Sequence, residues 1–266
     1  MTLTATILGC GSSAGVPRPA LGWGACDPAN ARNRRRRCSL LVERTSRDGG
    51  RTRVLIDTSP DLREQLLDAN VDWLDGVFFT HEHADHTHGI DDLRSLYIHR
   101  RRRLDLYLDE AAAHVVLHRF GYCFVTPPGS EYPPIANEHR IVADKPITVE
   151  GAGGEIVVRP FLQDHGDIPS LGFRFDGLAY SSDLVGLPDA SLPALADLSI
   201  WIVDALRYRP HRSHFSVDDA LEWIGRLKPR RAVLTNLHAD LDYATLKASL
   251  PAHVQPAYDG MQIEIA

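Results

Sequence analysis

The sequence predicts an α/β protein in which strands alternate with helices in both halves of the chain. Apolar runs of strand length recur along the 266 residues, and stretches with one apolar helical face separate several of them. A dense polar cluster, residues 81–88, follows directly on one of these apolar runs, residues 76–79. No linker interrupts the pattern, so we expect one domain over residues 1–266.

Alternating apolar residues and turn signals define the strands. Strands are predicted over 2–9, 38–43, 52–57, 76–79, 104–108, 148–149, 155–158, 171–175, 178–181, 199–204, 231–235 and 261–265. Two hairpin turns are expected, at Arg47-Asp48-Gly49-Gly50 and at Asp176-Gly177.

Capping residues and apolar faces define the helices. Helices are predicted over 61–69, 89–97, 110–121, 217–227 and 243–250. Ser59 is expected to be the N-cap of the first, with Pro60 at its first position. Ser216 is expected to cap the fourth, with Asp219 in the capping-box position.

Two stretches are predicted to be irregular. Residues 18–37 lack periodicity and should cross the surface without regular structure. Residues 126–137 contain four prolines, which exclude regular structure. This second stretch either reaches over a functional site or is only a surface connection.

Composition limits the partners. The 29 basic and 35 acidic residues give a net charge of −6, which disfavours an extended nucleic-acid partner. No apolar run is long enough to span a membrane and the N-terminus does not resemble a signal peptide, so we expect a cytoplasmic protein without a membrane partner. The arginine runs 34–37 and 100–103 are compatible with solvated faces, and the four cysteines with reduced thiols.

The polar cluster has the composition of a metal site. In His81-Glu82-His83-Ala84-Asp85-His86, alternate residues of an extended segment share one side, so His81, His83 and Asp85 can point together. A change of backbone direction is needed to bring in His86. Imidazoles with a carboxylate are a ligand set that Zn²⁺, Mn²⁺ or Fe²⁺ accepts. A chance cluster of surface histidines is the alternative.

Three distant residues offer further ligands. His165, Asp183 and His238 each follow a predicted strand. Each alone is typical of a surface polar residue, but together they could complete a site at the strand ends.

The His81–His86 run resembles the signature of the metallo-β-lactamase superfamily, which implies a four-layer αβ/βα sandwich. A closer resemblance is to the phosphoribosyl cyclic phosphodiesterases of phosphonate breakdown and their relatives near the tRNA 3′-processing endonucleases. That resemblance rests on the cluster, on the region of His238, and on residues 8–17, 37–39 and 180–188.

The resemblance implies two divalent metal ions, Zn or Mn. It assigns His81, His83 and His165 to one ion. It assigns Asp85, His86 and His238 to the other, with Asp183 bridging and a shared hydroxide as the nucleophile. Asp85 and His214 are the catalytic residues we expect. His214 is chosen as general acid because His214-Phe215-Ser216 resembles the catalytic motif of the tRNA-processing relatives.

Other residues are candidates for substrate contact. Ser12 and Ser13 lie in a Gly/Ser loop suited to anions, and Arg37 and Arg94 offer guanidinium groups. His211 is expected to touch substrate or solvent.

One departure from the resemblance concerns a structural zinc site. The cysteine-rich zinc site of those phosphodiesterases is not expected here. Residues 18–37 offer only Cys26, and Leu241 stands where a histidine would complete the site. Another contact must then hold this segment, with Arg34 to Arg37 as candidates.

These observations favour a dinuclear phosphodiesterase acting on a small cyclic or nucleotide-like phosphodiester. A tRNA 3′-processing endonuclease is the first alternative, and a thioester or lactam hydrolase using the same metals is the second. A non-catalytic module that retains metal is a third. The sequence leaves a homodimer open.

Overall fold

The computed structural model describes residues 2–265 and contains two seven-stranded mixed β-sheets. The first sheet has the order β14-β1-β2-β3-β4-β5-β6, with β1 (Thr2–Gly9), β2 (Ser39–Thr45), β3 (Arg51–Ile56), β4 (Gly76–Phe78), β5 (Leu104–Leu108), β6 (Ala136–Arg140) and β14 (Met261–Ile265). The second has the order β13-β12-β11-β10-β9-β8-β7, with β7 (Ile147–Val149), β8 (Ile156–His165), β9 (Ile168–Phe175), β10 (Leu178–Ser181), β11 (Ile200–Asp204), β12 (Arg231–Thr235) and β13 (Val254–Pro256).

Helices cover the outer face of each sheet. The first sheet carries α1 (Leu62–Asp68), α3 (Arg94–Arg100) and α4 (Glu110–Phe120), and the second carries α5 (Val217–Leu227) and α6 (Tyr243–Ser249). The one-turn helix α2 (Ala84–Thr87) follows β4. Short 3₁₀ turns occupy Ala31–Asn33, Ile90–Leu93, Gly121–Cys123 and Asp189–Leu195. The predicted four-layer αβ/βα sandwich is confirmed. None of the helices within residues 2–265 has the length and apolar character needed to cross a bilayer.

The core lies in three apolar layers, and β11 shows why. Ile200 and Ile202 face the layer between the sheets, whereas Trp201 and Val203 face the helices on the outside. All five residues of this strand are buried, as expected for a strand covered on both faces. The strands β10 to β13 run parallel, so their carboxyl ends meet at one edge of the second sheet.

Most predicted elements are confirmed, but two helix starts were wrong. The first helix begins at Leu62, and Asp61 rather than Ser59 is its N-cap residue. The Ser59 hydroxyl accepts from the backbone N–H of Asp61 and donates to Gln65, which stabilises the turn before the helix. The helix predicted over 89–97 is a 3₁₀ turn that continues into α3, so the regular helix begins at Arg94.

Three strands differ from the expectation. Strands β6 and β13 were not predicted, the latter because three residues are too few to show a period. Strand β8 was predicted to end at residue 158 and continues to His165. The proline-rich stretch is irregular only as far as residue 135, since β6 begins at Ala136.

The capping box of α5 generates a stability prediction. The Ser216 hydroxyl accepts from the Asp219 N–H at 3.2 Å, and the Asp219 carboxylate accepts from the Ser216 N–H at 2.9 Å. Ser216→Ala should lower the free energy of unfolding by about 1 kcal/mol, the usual value of an N-cap, as measured by urea denaturation. The control is Ser249→Ala at the end of α6, which caps no helix start and should change it by less than about 0.5 kcal/mol. Equal losses would show that the box contributes nothing.

Candidate metal centre

Six of the seven predicted metal ligands converge where the two sheets meet. The His81–His86 run follows β4 of the first sheet, and the one-turn helix α2 begins at Ala84, directly after His83. This turn supplies the change of backbone direction that His86 requires. From the second sheet, His165 is the last residue of β8, and Asp183 follows two residues after β10.

The side chains form two donor groups that share one carboxylate. In each group the ligand atoms all lie within 4.8 Å of one another. The groups are His81, His83, His165 and Asp183, and Asp85, His86 and Asp183. Asp183 Oδ2 lies 3.4 Å from His86 Nε2 and 3.8 Å from Nε2 of both His81 and His165. Because of this convergence, the His/Asp cluster is able to bind metal ions.

Hydrogen bonds at the far side of the rings fix which nitrogen faces the centre. His165 Nδ1 lies 2.7 Å from the Ser213 carbonyl, so it donates and leaves Nε2 free. His86 Nδ1 lies 2.7 Å from Asp57, and His81 Nδ1 lies 2.9 Å from the Thr80 hydroxyl. Such contacts orient metal-binding imidazoles and set their tautomer.

Three residues at strand ends adopt the left-handed backbone conformation. The φ angles are 64° for Asp57, 48° for Asp183 and 61° for Asn236. Asp and Asn tolerate this conformation better than other residues with a Cβ, and its occurrence at strand ends is typical of functional sites. Asn236 donates through Nδ2 to Asp183 Oδ1 at 3.0 Å, which fixes the shared carboxylate.

The electrostatics of the cluster favour a cation. Burial lowers the pKa of His81 well below its usual value, so this ring is neutral, the form that binds metal. Burial would also lower the pKa of His86, but the carboxylates of Asp183, Asp85 and Asp57 raise it well above the usual value. The same negative charge that stabilises a proton there would stabilise a metal ion.

His214 forms a pair with a buried carboxylate. Its Nδ1 lies 2.8 Å from Asp204 Oδ2, and Asp204 is fully buried at the end of β11. Burial lowers the pKa of His214, but Asp204 outweighs this effect and raises the pKa to about 9. His214 is therefore protonated near neutral pH and presents its Nε2 as a donor.

A cavity of about 340 Å³ opens on the cluster. It is lined by polar side chains and by Leu206. The polar residues are Ser12, Ser13, His83, Asp85, His165, Asp183, Arg207, His211, Ser213, His214, Asn236 and His238. The predicted Ser12, Ser13, His211 and His214 therefore share one cavity with the metal-binding residues.

Three of the predicted site residues lie outside the donor groups or outside the cavity. His238 lines the cavity, but its Nε2 lies 2.7 Å from Arg18 Nη1, and it belongs to neither donor group. Arg37 pairs with Asp61 at 2.8 Å, away from the residues that line the cavity. Arg94 pairs with Asp91 at 2.7 Å.

The proline-rich stretch forms a separate site with Arg94. Pro127, Ser130 and Tyr132 line a second cavity of about 270 Å³ together with Arg94 and Tyr122. None of the described residues that line the metal-side cavity comes from this stretch. The structure thus brings Arg94 to the proline-rich loop and not to the metal-side cavity.

The cysteines lie outside both donor groups. All four are free and buried. Cys26 Sγ faces the carbonyls of Ala239 and Leu241, at 3.5 and 3.4 Å. The absence of a structural zinc stays a prediction.

Sequence reasoning missed the residues that support the site. Asp57, Thr80, Asp204 and Asn236 orient ligands or His214, and Arg207 lines the cavity. A usable signal existed for the two aspartates, since each stands at the end of a strongly apolar run. Asn236 carries no local signal, because its partner Asp183 is distant in the sequence.

The fold and the donor groups together define a metal-dependent hydrolase. A family model described as the beta-lactamase superfamily domain matches residues 52–236, which include every ligand of the two groups. The chain therefore belongs to the metallo-β-lactamase superfamily.

Three known proteins that are similar to this chain differ in how much they share with it. A solved structure of a diphosphatase from the PhnP family is 34% identical with a TM-score of 0.88, over 100% of this chain and 98% of that one. An octanoyltransferase of Porphyromonas gingivalis (strain ATCC BAA-308 / W83) is 34% identical over 261 residues, which are 96% of this chain. The chain spans about half the length of that curated relative, 50%. The human short-form tRNase Z, 17% identical with a TM-score of 0.62 over 98% of each chain, shares the fold.

The shared carboxylate generates a prediction about metal content. Asp183→Asn preserves shape and tolerates the left-handed backbone, but it removes the negative charge between the donor groups. We expect the chain to stay folded and to lose at least one of two bound ions, as measured by elemental analysis after dialysis against Mn²⁺ or Zn²⁺.

The matched control is Asp176→Asn. Asp176 also has a positive φ, 47°, but lies in the β9–β10 hairpin and pairs with Arg44. It should leave metal content unchanged. Two ions retained by the Asp183 variant would refute the shared role.

Proposed function

We propose that this protein is a dinuclear metal-dependent phosphodiesterase that acts on a small cyclic or nucleotide-like phosphodiester. The observation that carries the proposal is the Asp183 carboxylate, which is common to both donor groups and lines a polar cavity together with His214. The catalytic unit is the domain formed by residues 1–266.

The donor chemistry fits two divalent ions, Zn or Mn. His81, His83 and His165 would hold one ion, and Asp85 and His86 the other, with Asp183 between them. When bound, the ions supply an activated water and neutralise charge that develops on a phosphoryl oxygen. His238 completes the second set only when its Nε2 gives up its contact with Arg18.

The chain's own residues bind the substrate and supply a proton. His214 donates from Nε2 to the leaving oxygen while Asp204 holds Nδ1 and stabilises the positive charge. Ser12, Ser13 and Arg207 line the same cavity, and hydroxyl and guanidinium groups suit a phosphate group.

Cavity chemistry favours phosphoryl over acyl substrates. Leu206 is the apolar residue among those that line the cavity, so the surroundings suit an anion and offer little to an eight-carbon acyl chain. The name of the octanoyltransferase relative is therefore weak support for an acyl substrate of this chain, since half of that protein has no counterpart here. The diphosphatase relative, matched along its whole length, supports phosphorus chemistry.

The activity itself is the first test. Protein stripped with a chelator should be inactive, and added Mn²⁺ or Zn²⁺ should restore hydrolysis of bis(p-nitrophenyl) phosphate or of a 2′,3′-cyclic phosphate, measured by product release. The Asp183→Asn protein is the control for adventitious metal hydrolysis. Strong activity on a β-lactam or thioester, with none on any phosphodiester, would contradict the proposal.

The role of His214 is tested through the leaving group. His214→Ala should keep both metals and lose turnover by about 10²–10⁴ on a poor alkoxide leaving group, the usual contribution of a general acid. The loss should shrink for a p-nitrophenolate, which needs little protonation.

The neighbouring His211 is the matched control. It lines the same cavity and its ring lies 5.1 Å from that of His214. His211→Ala should raise KM without any dependence on the leaving group. Equal losses for His214→Ala on activated and unactivated substrates would show that His214 positions the phosphate.

A further inference from the structure

Arg35 is a fully enclosed cation next to the metal-side cavity. Its side chain belongs to the largest buried side chains of the protein, and only 2% of the residue is exposed. The guanidinium donates to the Leu241 carbonyl at 2.7 Å and to the His238 carbonyl at 3.2 Å. It also lies 3.3 Å from Asn33 Oδ1 and 3.8 Å from Cys26 Sγ.

The charge of Arg35 is compensated by dipoles. Within residues 2–265 no carboxylate forms an ion pair with it. Asn33 provides an indirect link, because its Nδ2 donates to Asp242 Oδ2 at 2.6 Å while its Oδ1 accepts from Arg35. A buried charge is costly unless its hydrogen-bonding groups are satisfied, and within residues 2–265 both terminal nitrogens of Arg35 have acceptors whereas Nε has none. The planar guanidinium presents its donors in a fixed fork and can therefore meet several carbonyls at once.

The backbone segments around Arg35 are packed so closely that they have little conformational freedom. A Cβ on Gly24 would lie 2.5 Å from the Ala239 carbonyl oxygen, and one on Gly11 would lie 2.9 Å from Arg35 Cβ. Both distances are shorter than a real Cβ contact, so the segments approach this closely only because glycine stands there. The site around Arg35 is therefore tightly built.

Arg35 joins two other segments of the chain. Its backbone N–H and carbonyl pair with Val16, at 2.9 and 2.8 Å, in the loop that also bears Ser12 and Ser13. Its side chain reaches the turn after β12, where it donates to the backbone carbonyls of His238 and Leu241. It thus connects the Gly/Ser loop to the turn that carries the predicted seventh ligand.

We propose that Arg35 is a positioning residue that fixes the His238 turn so that the imidazole faces the cavity. This inference rests on the proposed function, because it takes His238 as a metal ligand. Contacts that orient ligands typically contribute 10–100-fold to metal affinity. Arg35 acts through a ligand's main-chain carbonyl, and hence on the position of the whole residue.

The experiment compares two buried arginines. Arg35→Met keeps length and apolar character but removes every donor. We expect a 10–100-fold weaker second metal ion in Mn²⁺ titrations, and faster amide hydrogen exchange at residues 238–242. The control is Arg53→Met, because Arg53 is 5% exposed and pairs with Glu43 and Asp72 instead of the turn. It should lower stability without changing metal affinity or exchange at 238–242.

If Arg35→Met does not fold, Arg35→Lys tests whether Arg35 positions the His238 turn. Its ammonium keeps the charge but cannot span both carbonyls, so metal affinity and exchange should fall between wild type and Arg35→Met. Wild-type metal affinity and wild-type exchange at 238–242 in either Arg35 variant would overturn the proposal. A wild-type chain that binds one ion would instead contradict the proposed ligand set, while the exchange comparison would still test whether Arg35 holds the turn.

Discussion

The site depends on one buried carboxylate. Asp183 is 3% exposed, has a left-handed backbone and lies within 3.8 Å of three imidazole nitrogens. An ionised carboxylate at such a position is costly unless cations or hydrogen-bond donors surround it. Asn236 supplies one donor, and the surrounding histidines have their nitrogens turned toward the same point. Burial raises the pKa of Asp183, but His86, His214 and His81 lower it well below its usual value, so the carboxylate is ionised and can attract a cation.

The two sheets are needed because each contributes only part of the ligand set. The first sheet supplies the run from His81 to His86 and the second supplies His165 and Asp183. Just below the site, Phe78 of β4 packs edge-on against Phe173 of β9 with ring centroids 5.6 Å apart. Such aromatic pairs are buried in the layer between the sheets. Their packing fixes the position of the ligand-bearing strand ends of one sheet relative to those of the other. The apolar core therefore sets the geometry of the metal centre.

Local sequence was sufficient for most strands, most helices and the cluster at His81–His86, because each depends on periodicity, turn residues or close spacing. Arg94, which was predicted to contact substrate, pairs with Asp91 one turn away. Local sequence was insufficient where a side chain's partner is distant. The roles of Asp57, which holds His86, and of Arg35, which holds the turn after β12, follow only from tertiary contacts. The start of α1 was misjudged because Ser59 caps a turn and not the helix.

Anomalous scattering from crystals grown with Mn²⁺ or Zn²⁺ tests whether two ions share Asp183. Two peaks are expected about 3.5–4 Å apart, the usual separation in dinuclear sites, one on each side of the Asp183 carboxylate. One peak should lie beside His81, His83 and His165, and the other beside Asp85 and His86. A single peak, or a peak at Cys26 with none at Asp183, would refute a dinuclear centre that shares Asp183.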